Sequence, residues 1–311
     1  MTGSEKMLAL PFDDYAQSAN SLFHFMKEAK FLNNILEKHA IIPRYCIENI
    51  EYLDIKTEAI TFREIAVLQK CFCDIPFHKL ADSFPVNGVG EGFSSLNADN
   101  RILLEKSNTH FDYYGKYAIA FSKQWGEKNN LQPILYLNKD SDYANNFINL
   151  FKHILKEDDV SEECARDVLD RLAYIKPLRG IMNRSLVQDE KDIVVQIYKN
   201  FHDEREWRYV PSPKALADLK MESVIANPKL IKFYKEISDK IEDTKFQNLW
   251  LNFSYDDIRY IIVPNAIERI NIINTVMGLK DNCFVNQEKI EQQKQVLISK
   301  ILVLDEIRRD W

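Results

Sequence analysis

The chain has 311 residues, of which 46% are hydrophobic and 12% aromatic, so it can form a packed core and is not a disordered chain. Its formal net charge of −6 gives no general attraction to nucleic acid, although a local basic groove is still compatible with it. With only 8 glycines, the chain contains neither G-x-G-x-x-G nor G-x-x-x-x-G-K-[ST], which argues against glycine-rich nucleotide loops.

The five cysteines form an odd and scattered set, which is typical of reduced thiols in the cytoplasm. No run of about 20 apolar residues follows the polar N-terminus, so the sequence predicts neither a signal peptide nor a membrane span. We therefore expect a soluble cytoplasmic protein. Residues 1–20 are predicted to be a loose leader, and residues 21–311 a single domain.

The first predicted elements are a strand over residues 21–25 and a helix over 27–39, whose apolar residues recur at helical spacing. His24 lies at the end of this strand, just before the helix. It is either a hydrogen-bonded structural histidine or a polar group aimed into a cleft, since strand-to-helix junctions often carry ligands. Residues 41–48 are predicted to be extended, because Pro43 disfavours a helical Ile42.

The apolar run over residues 65–75 predicts a buried strand that ends at Pro76. Cys71 and Cys73 would share one of its faces, with His78 nearby. A Cys-x-Cys pair lacks the gap of two to four residues found in usual zinc sites, so we expect no metal. Small buried thiols beside a ligand pocket are the favoured interpretation.

The segment 85–92 holds three of the 8 glycines and predicts a flexible loop, either a lid or a surface insertion. Tyr114 and Gly115 predict a turn, followed by a strand over residues 118–121. Ser122 can cap the helix that follows this strand. A further strand is predicted over residues 133–137.

Residues 141–200 contain apolar residues at helical spacing and predict a helical insertion between core strands. Residues 214–247 are predicted to be helical, 258–263 a strand, 265–278 a helix and 297–304 a closing strand.

The sequence predicts about eight short strands, with helices between them and a further helical insertion. This pattern predicts an α+β domain with a mixed-sheet core. The helices that follow the strands would also fit an α/β fold. The irregular spacing of the short strands favours α+β.

The stretch 201–211 carries the residues most suited to chemistry, because its end, Trp-Arg-Tyr-Val-Pro, is typical of a strand. Strand alternation places Glu204, Glu206 and Arg208 on one face. Two carboxylates at this spacing are unfavourable unless they are solvated or used, because neighbouring like charges raise the pKa of at least one of them. The strand is therefore either an edge strand with a charged, wet face or the carrier of a carboxylate pair that faces a cleft.

Five motifs occur together in the chain. They are Leu-Phe-His-Phe at 22–25, Pro-Arg-Tyr-Cys at 43–46, Cys-Phe-Cys-Asp-Ile-Pro at 71–76, Tyr-Gly-Lys-Tyr-Ala-Ile-Ala-Phe-Ser-Lys-Gln-Trp-Gly at 114–126 and Glu-Arg-Glu-Trp-Arg-Tyr-Val-Pro at 204–211. In this order they resemble the AbiGi family of abortive-infection, phage-resistance proteins. The resemblance covers roughly residues 20–304 and implies the antitoxin-like member of a two-gene bacterial defence system.

A more distant resemblance is to ADP-ribosyltransferase-like folds, and it implies NAD as the cofactor and a macromolecule as the acceptor of ADP-ribose. On this resemblance Glu206 would stabilise an oxocarbenium-like state and Glu204 would polarise the nucleophile. His24 would bind a ribose and Tyr114 would stack on the nicotinamide. The chain departs from the pattern in having no Ser-Thr-Ser triplet. The predicted cofactor-binding residues are His24, Phe25, Asp74, Tyr114 and Ser122.

Two hypotheses follow, and a third is less favoured. A transferase needs His24 and Glu206 in one pocket of ligand size. A non-enzymatic antitoxin or sensor, which binds a partner protein, needs an exposed apolar patch instead. A nucleic-acid-binding regulator would need a concentrated basic face, which the sequence does not display.

Overall fold

The structure, a computed structural model, describes residues 18–56, 61–83, 86–106, 108–154 and 161–310. The predicted leader lies almost wholly outside these residues, and so does Pro85 at the start of the glycine-rich segment. Strands and helices are mixed along the chain in irregular order, as an α+β fold requires. Among the described helices, none is both long enough and apolar enough to cross a bilayer.

The strands vary from two to ten residues in length. They are β1 (Ser21–Met26), β2 (Ala40–Ile41), β3 (Arg44–Asn49), β4 (Glu64–Cys73), β5 (Val86–Val89), β6 (Tyr117–Ser122), β7 (Gln132–Pro133), β8 (Leu135–Leu137), β9 (Ile175–Pro177), β10 (Arg179–Gln188), β11 (Lys191–Asn200), β12 (Glu206–Tyr209), β13 (Val224–Ile225), β14 (Leu251–Asn252), β15 (Ile258–Val263) and β16 (Ile301–Val303).

The helices lie between and after these strands. They are α1 (Ala29–Lys38), α2 (Gly90–Ser94), α3 (Ala98–Lys106), α4 (His110–Tyr114), α5 (Lys123–Lys128), α6 (Asp142–Ile154), α7 (Glu162–Arg171), α8 (Pro213–Asp218), α9 (Pro228–Ile231), α10 (Tyr234–Lys240), α11 (Ala266–Met277), α12 (Ile290–Ser299) and α13 (Leu304–Asp310).

The main sheet has the strand order β16-β15-β6-β1-β4-β12-β7, and β3 and β13 pair with the other half of β4. Only the β15–β16 pair is parallel among the described strands of this sheet. Every residue of β1 is buried, which fits a strand in the middle of a sheet that is covered on both faces.

The register of β1, β4 and β12 decides which side chains share a face of the main sheet. Phe23 pairs with Cys73, and Cys73 pairs with Glu206. Directly paired residues project to the same face and their chain neighbours to the other. Phe23, Cys73 and Glu206 therefore lie on one face. The other face carries their neighbours His24, Phe72 and Trp207.

A second sheet has the order β10-β11-β5. It corrects the predicted helical insertion over residues 141–200, because the α-helices in the described part of this segment are α6 and α7, whereas residues 179–200 form a long hairpin. The glycine-rich segment supplies β5, which pairs with β11. Its described residues thus form a strand and the short helix α2, rather than an open loop.

The residues of the hairpin turn explain why the sequence predicts helix, and not a hairpin, in this region. Asp189 and Glu190 form a two-residue connection, and both have positive φ values, 51° and 62°. Such turns are recognised in a sequence by Asn-Gly or Asp-Gly, because glycine adopts positive φ without strain. Asp-Glu gives no such signal.

Two other predicted boundaries also change. The segment 214–247 is not continuously helical, because β13 interrupts it and pairs with β4. The closing strand, predicted over residues 297–304, is shorter in the structure and spans Ile301–Val303. It starts later because α12 continues to Ser299 and buries Leu297 against the core.

Candidate functional site

The predicted site residues lie on two faces of the main sheet and do not converge on one pocket. Glu206 faces the side of Phe23 and Cys73, whereas His24 faces the side of Phe72 and Trp207. The sheet itself therefore separates the two residues that a transferase site would bring together.

His24 is a structural histidine in a closely packed environment. It is buried, its Nδ1 lies 2.9 Å from the carbonyl oxygen of Cys71, and its ring lies 5.5 Å from that of Phe72. Burial, with a smaller contribution from the charge of Lys70, lowers the pKa of His24 to about 3. The ring is therefore neutral at pH 7 and donates to the carbonyl through Nδ1–H.

The other predicted cofactor residues also make internal contacts. Asp74 lies 2.5 Å from Lys123 and accepts a hydrogen bond from the backbone of Ala19. Ser122 caps α5, as predicted, by accepting from the backbone N–H of Trp125 at 3.1 Å. Phe25 packs edge-on against Phe111, with ring centroids 5.3 Å apart.

Tyr114, Glu204 and Glu206, in contrast, meet in one buried network of charges. Glu204 ends a short 3-10 helix just before β12. One of its oxygens accepts from Lys199 at 2.7 Å and from the hydroxyl of Tyr114. The other accepts from Lys176, also at 2.7 Å.

Glu206 occupies the centre of the network. Its Oε1 accepts from Nε of Arg208 at 2.6 Å, and its Oε2 accepts from Lys176 at 3.0 Å. Arg208 also donates to Glu48 at 2.8 Å and to the carbonyl of Ala173 at 2.7 Å. Both oxygens of Glu206 are thus engaged by cations of the chain itself.

The network, here called the ionic cluster, balances three carboxylates with three cations. The side chains of four members, Glu204, Glu206, Lys199 and Arg208, are nearly inaccessible, and burial of this kind is tolerated only when charges are paired and hydrogen-bonded. The members are Glu48, Glu204, Glu206, Lys176, Lys199 and Arg208.

The predicted wet edge strand is therefore wrong. The strand β12 lies between β4 and β7, and all four of its residues are buried. Burial alone would raise the pKa of Glu206, but Arg208 and Lys176 hold it well below its usual range. Burial likewise opposes ionisation of Glu204, and Lys176 and Lys199 lower its pKa. Both carboxylates stay ionised and neutralised.

Three of the cluster's members were missed in the sequence. Glu48 and Lys176 come from distant segments, and no local pattern marks them. Lys199 had a usable signal, because alternation along β11 places it on the same inward face as Val195 and Ile197. A lysine in line with two buried aliphatic residues indicates a buried cation that needs a carboxylate.

A cleft of about 490 Å³ opens beside the cluster, between the segment 47–52 and strands β9 and β10. Tyr114 and Glu204 line it, together with Lys176, so the cluster forms part of its wall. The volume is in the range of small-molecule sites. None of His24, Asp74 or Ser122 contributes to it.

No three histidine, cysteine, aspartate or glutamate side chains within the described ranges are arranged to hold a metal ion. Cys71 and Cys73 are both free thiols on β4, and Cys73 is buried. Burial raises the pKa of both thiols, so they are protonated at pH 7. Cys71 hydrogen-bonds to Glu206 and thus belongs to the surroundings of the cluster.

We expect the fold to lose stability as the pH falls from 6.5 to about 4. Burial lowers the pKa of His24 to about 3 and that of His110 to about 4, from an ordinary value of 6.5. In this window the unfolded chain binds protons that the folded chain cannot, so stability is present above pH 6.5 and is lost on acidification. The loss at pH 5 is about 2 kcal/mol per histidine.

Urea unfolding at pH 7.5 and at pH 5 measures this loss. His24→Gln should reduce the pH dependence, whereas His78→Gln, at an exposed histidine, should leave it unchanged. Equal stability of the wild type at both pH values would contradict the assignment of two buried neutral histidines.

Comparison with known proteins gives two findings. The family model described as "Putative abortive phage resistance protein AbiGi, antitoxin" matches residues 99–264. The chain is similar to "Abortive phage resistance protein AbiGi" of Lactococcus lactis subsp. cremoris, with 33% identity over 282 residues that cover 88% of this chain and 100% of the relative. No solved structure matches the chain, and the ADP-ribosyltransferase-like fold stays a prediction.

Proposed function

The chain belongs to the AbiGi family of abortive phage resistance proteins, and we propose that it acts in this defence as an antitoxin that binds a partner protein. One observation carries the proposal: an exposed apolar face on the second sheet. The apolar residues of this outer sheet face are Ile181, Val187, Val194 and Tyr198, whose exposed fractions are 57%, 64%, 58% and 42%.

The outer sheet face departs from the usual pattern of a sheet that is covered on one side. The inner face of the hairpin packs Leu186, Val195 and Ile197 into a core, so the opposite face should be polar. Instead, Ile181 and Tyr198 lie directly opposite each other on β10 and β11 and are both exposed. Exposed apolar residues grouped in this way are typical of a protein-binding surface.

Strand β10 adds a second feature that suits a protein partner. It is ten residues long and lies at the edge of its sheet, where no described strand pairs with its outer side. A long free edge presents unpaired N–H and C=O groups to which another chain can add a strand. We therefore assign the face to the toxin protein of the same defence system.

A second apolar surface competes with this one, because Ile267 and Ile270 on α11 are 70% and 58% exposed. The sheet face is favoured over the helix because it adjoins the free edge of β10, to which a partner can add a strand.

The transferase reaction and its use of NAD remain predictions from the distant resemblance. Two observations count against them. His24 and Glu206 lie on opposite faces of the main sheet. Both oxygens of Glu206 are held by Arg208 and Lys176, so neither is available to a ribose without breaking the cluster.

The variant Ile181→Glu should weaken binding of the partner toxin at least about tenfold, because it places a charge in the centre of an apolar contact. Binding is measured by calorimetry with the purified toxin, and protection by growth of cells that express the toxin. Ile270→Glu is the matched control, since Ile270 has a similar exposed fraction of 58% but lies on α11.

Both variants should keep the melting temperature of the wild type, because the replaced side chains are exposed. If Ile181→Glu binds and protects as the wild type does while Ile270→Glu fails, the docking surface is α11. If neither the wild type nor any variant binds the toxin, the antitoxin proposal is wrong.

A further inference from the structure

The cleft beside the ionic cluster has charges that the chain itself does not neutralise. Of the cations that line it, Lys176 is paired with Glu204 and Glu206. Lys139 and Arg179 also line it, and neither makes an ion pair with any described residue. The uncompensated charge on its walls is therefore positive.

The acidic residues of the cleft do not cancel this charge. Glu48 and Glu204 are engaged by the cations of the cluster. Glu51, at the rim, lies 3.5 Å from Arg63. With these carboxylates paired, Lys139 and Arg179 can attract an anion from solution.

The wall of the same cleft contains an unsatisfied polar group, the hydroxyl of Tyr52. It is buried, and it has no hydrogen-bond partner among the described residues. Leaving a buried hydroxyl unpaired is unfavourable, because its hydration is lost without replacement. Tyr52 lines the cleft close to Glu48 and Lys176, so a rotation of its side chain would present this hydroxyl to a ligand in the cleft.

An aromatic side chain completes the cleft. Tyr198 lines it and remains 42% exposed, which leaves its ring available for stacking. Phe201, also in the wall, is buried and is covered by Lys176 at 5.0 Å from its ring centroid. The open ring of Tyr198 is therefore the surface on which a flat ligand ring can stack.

We propose that this cleft binds a small anion that carries a flat ring, of the nucleoside-phosphate class. Its phosphates contact Lys139 and Arg179, its ring stacks on Tyr198, and a polar atom hydrogen-bonds to the hydroxyl of Tyr52. The site is distinct from the predicted His24-based cofactor site. It goes beyond the antitoxin proposal and does not rest on it, because binding is measured on the isolated chain.

The test is calorimetric titration of the whole chain with ADP, with GDP, and with pyrophosphate and adenosine as the two halves of the ligand. We expect one site per chain for at least one of the two nucleotides, with each half binding more weakly. Saturation by pyrophosphate alone, with no gain from the nucleoside, would overturn the ring contact. No heat from any probe at millimolar concentration would overturn the proposal.

Arg179→Gln should lower nucleotide affinity about tenfold, because a charge-assisted contact to phosphate is lost. Lys214→Gln is the matched control, since Lys214 is an exposed cation on α8 and does not line the cleft. An equal loss of affinity in both variants would mean that binding is nonspecific attraction, contrary to the proposal.

Tyr52→Phe separates a ligand role from a structural one. Removal of an unpaired hydroxyl should leave the melting temperature of the free chain unchanged or raise it, while nucleotide affinity falls about three- to tenfold. A lower melting temperature with unchanged affinity would overturn the role of this hydroxyl in binding.

Discussion

Replacing Glu206 with glutamine is expected to lower the free energy of unfolding by about 3–5 kcal/mol. The substitution keeps the shape of the side chain and removes its charge. Arg208 and Lys176 then each lose a carboxylate partner. The loss is large because Arg208 is wholly buried. A buried cation without its full complement of charge is the source of the loss.

Urea unfolding of the two proteins measures this difference. Glu51→Gln is the control, because Glu51 forms an exposed ion pair with Arg63, and such pairs contribute about 0–1 kcal/mol. NAD consumption and phage protection are followed in parallel. A Glu206→Gln protein that is as stable as the wild type, but has lost NAD turnover and protection, would favour the transferase hypothesis over a structural cluster.

Replacing Gly115 with alanine is expected to lower the free energy of unfolding by about 1–3 kcal/mol through the backbone conformation alone, and a steric clash of the new side chain adds to this loss. Gly115 connects α4 to β6 with a φ of 117°, in the region that side chains rarely adopt. A Cβ atom there would lie 2.0 Å from the carbonyl oxygen of Met26, so the backbone of β1 would have to move. The same shift would displace Tyr114 from Glu204.

Thermal and urea unfolding test this expectation, with Gly278→Ala as the control. Gly278 follows α11 with a φ of −81°, and its nearest neighbour would be 3.4 Å from a new Cβ. Alanine at this position should be neutral, or stabilising by about 0.4–1 kcal/mol through the unfolded chain. Equal effects of the two substitutions would show that the turn at Gly115 tolerates a side chain.

The elements that were predicted well are those with strong local patterns. The strand β1 and the helix α11 have boundaries within two residues of the predicted ones. Ser122 was predicted to cap a helix and does so. In each case the residues that decide the structure are neighbours in the chain.

The hairpin over residues 179–200 could not be predicted in this way. Its strands alternate weakly, because Ile181 and Val194 are apolar residues on the exposed face. The pattern that normally marks a half-buried strand is therefore blurred. The feature that hides the hairpin in the sequence is the feature that we assign to partner binding.

The candidate site was predicted only in part, for a related reason. The sequence placed Glu206 and Arg208 on one face of a strand correctly, since alternation is a local property. Whether His24 shares that face depends on the register between β1, β4 and β12. A slip of one residue in this register would move the side chain of His24 to the opposite face. The partners of Glu206 also depend on chain folding, because Lys176 lies 30 positions away.

The charge balance of the ionic cluster restricts how this protein can be recombined with its relatives. Lys176 and Lys199 are contributed by β9 and β11, whereas the carboxylates come from β3, the 3-10 helix and β12. An exchange of residues 175–200 for the same segment of a relative must therefore import both lysines. A donor segment without them would leave Glu204 buried with no cation and Glu206 with Arg208 alone, and the chimera would be destabilised whatever its apolar surface. An exchange intended to change the partner should therefore be limited to residues 180–198, so that Lys176 and Lys199 of this chain are kept.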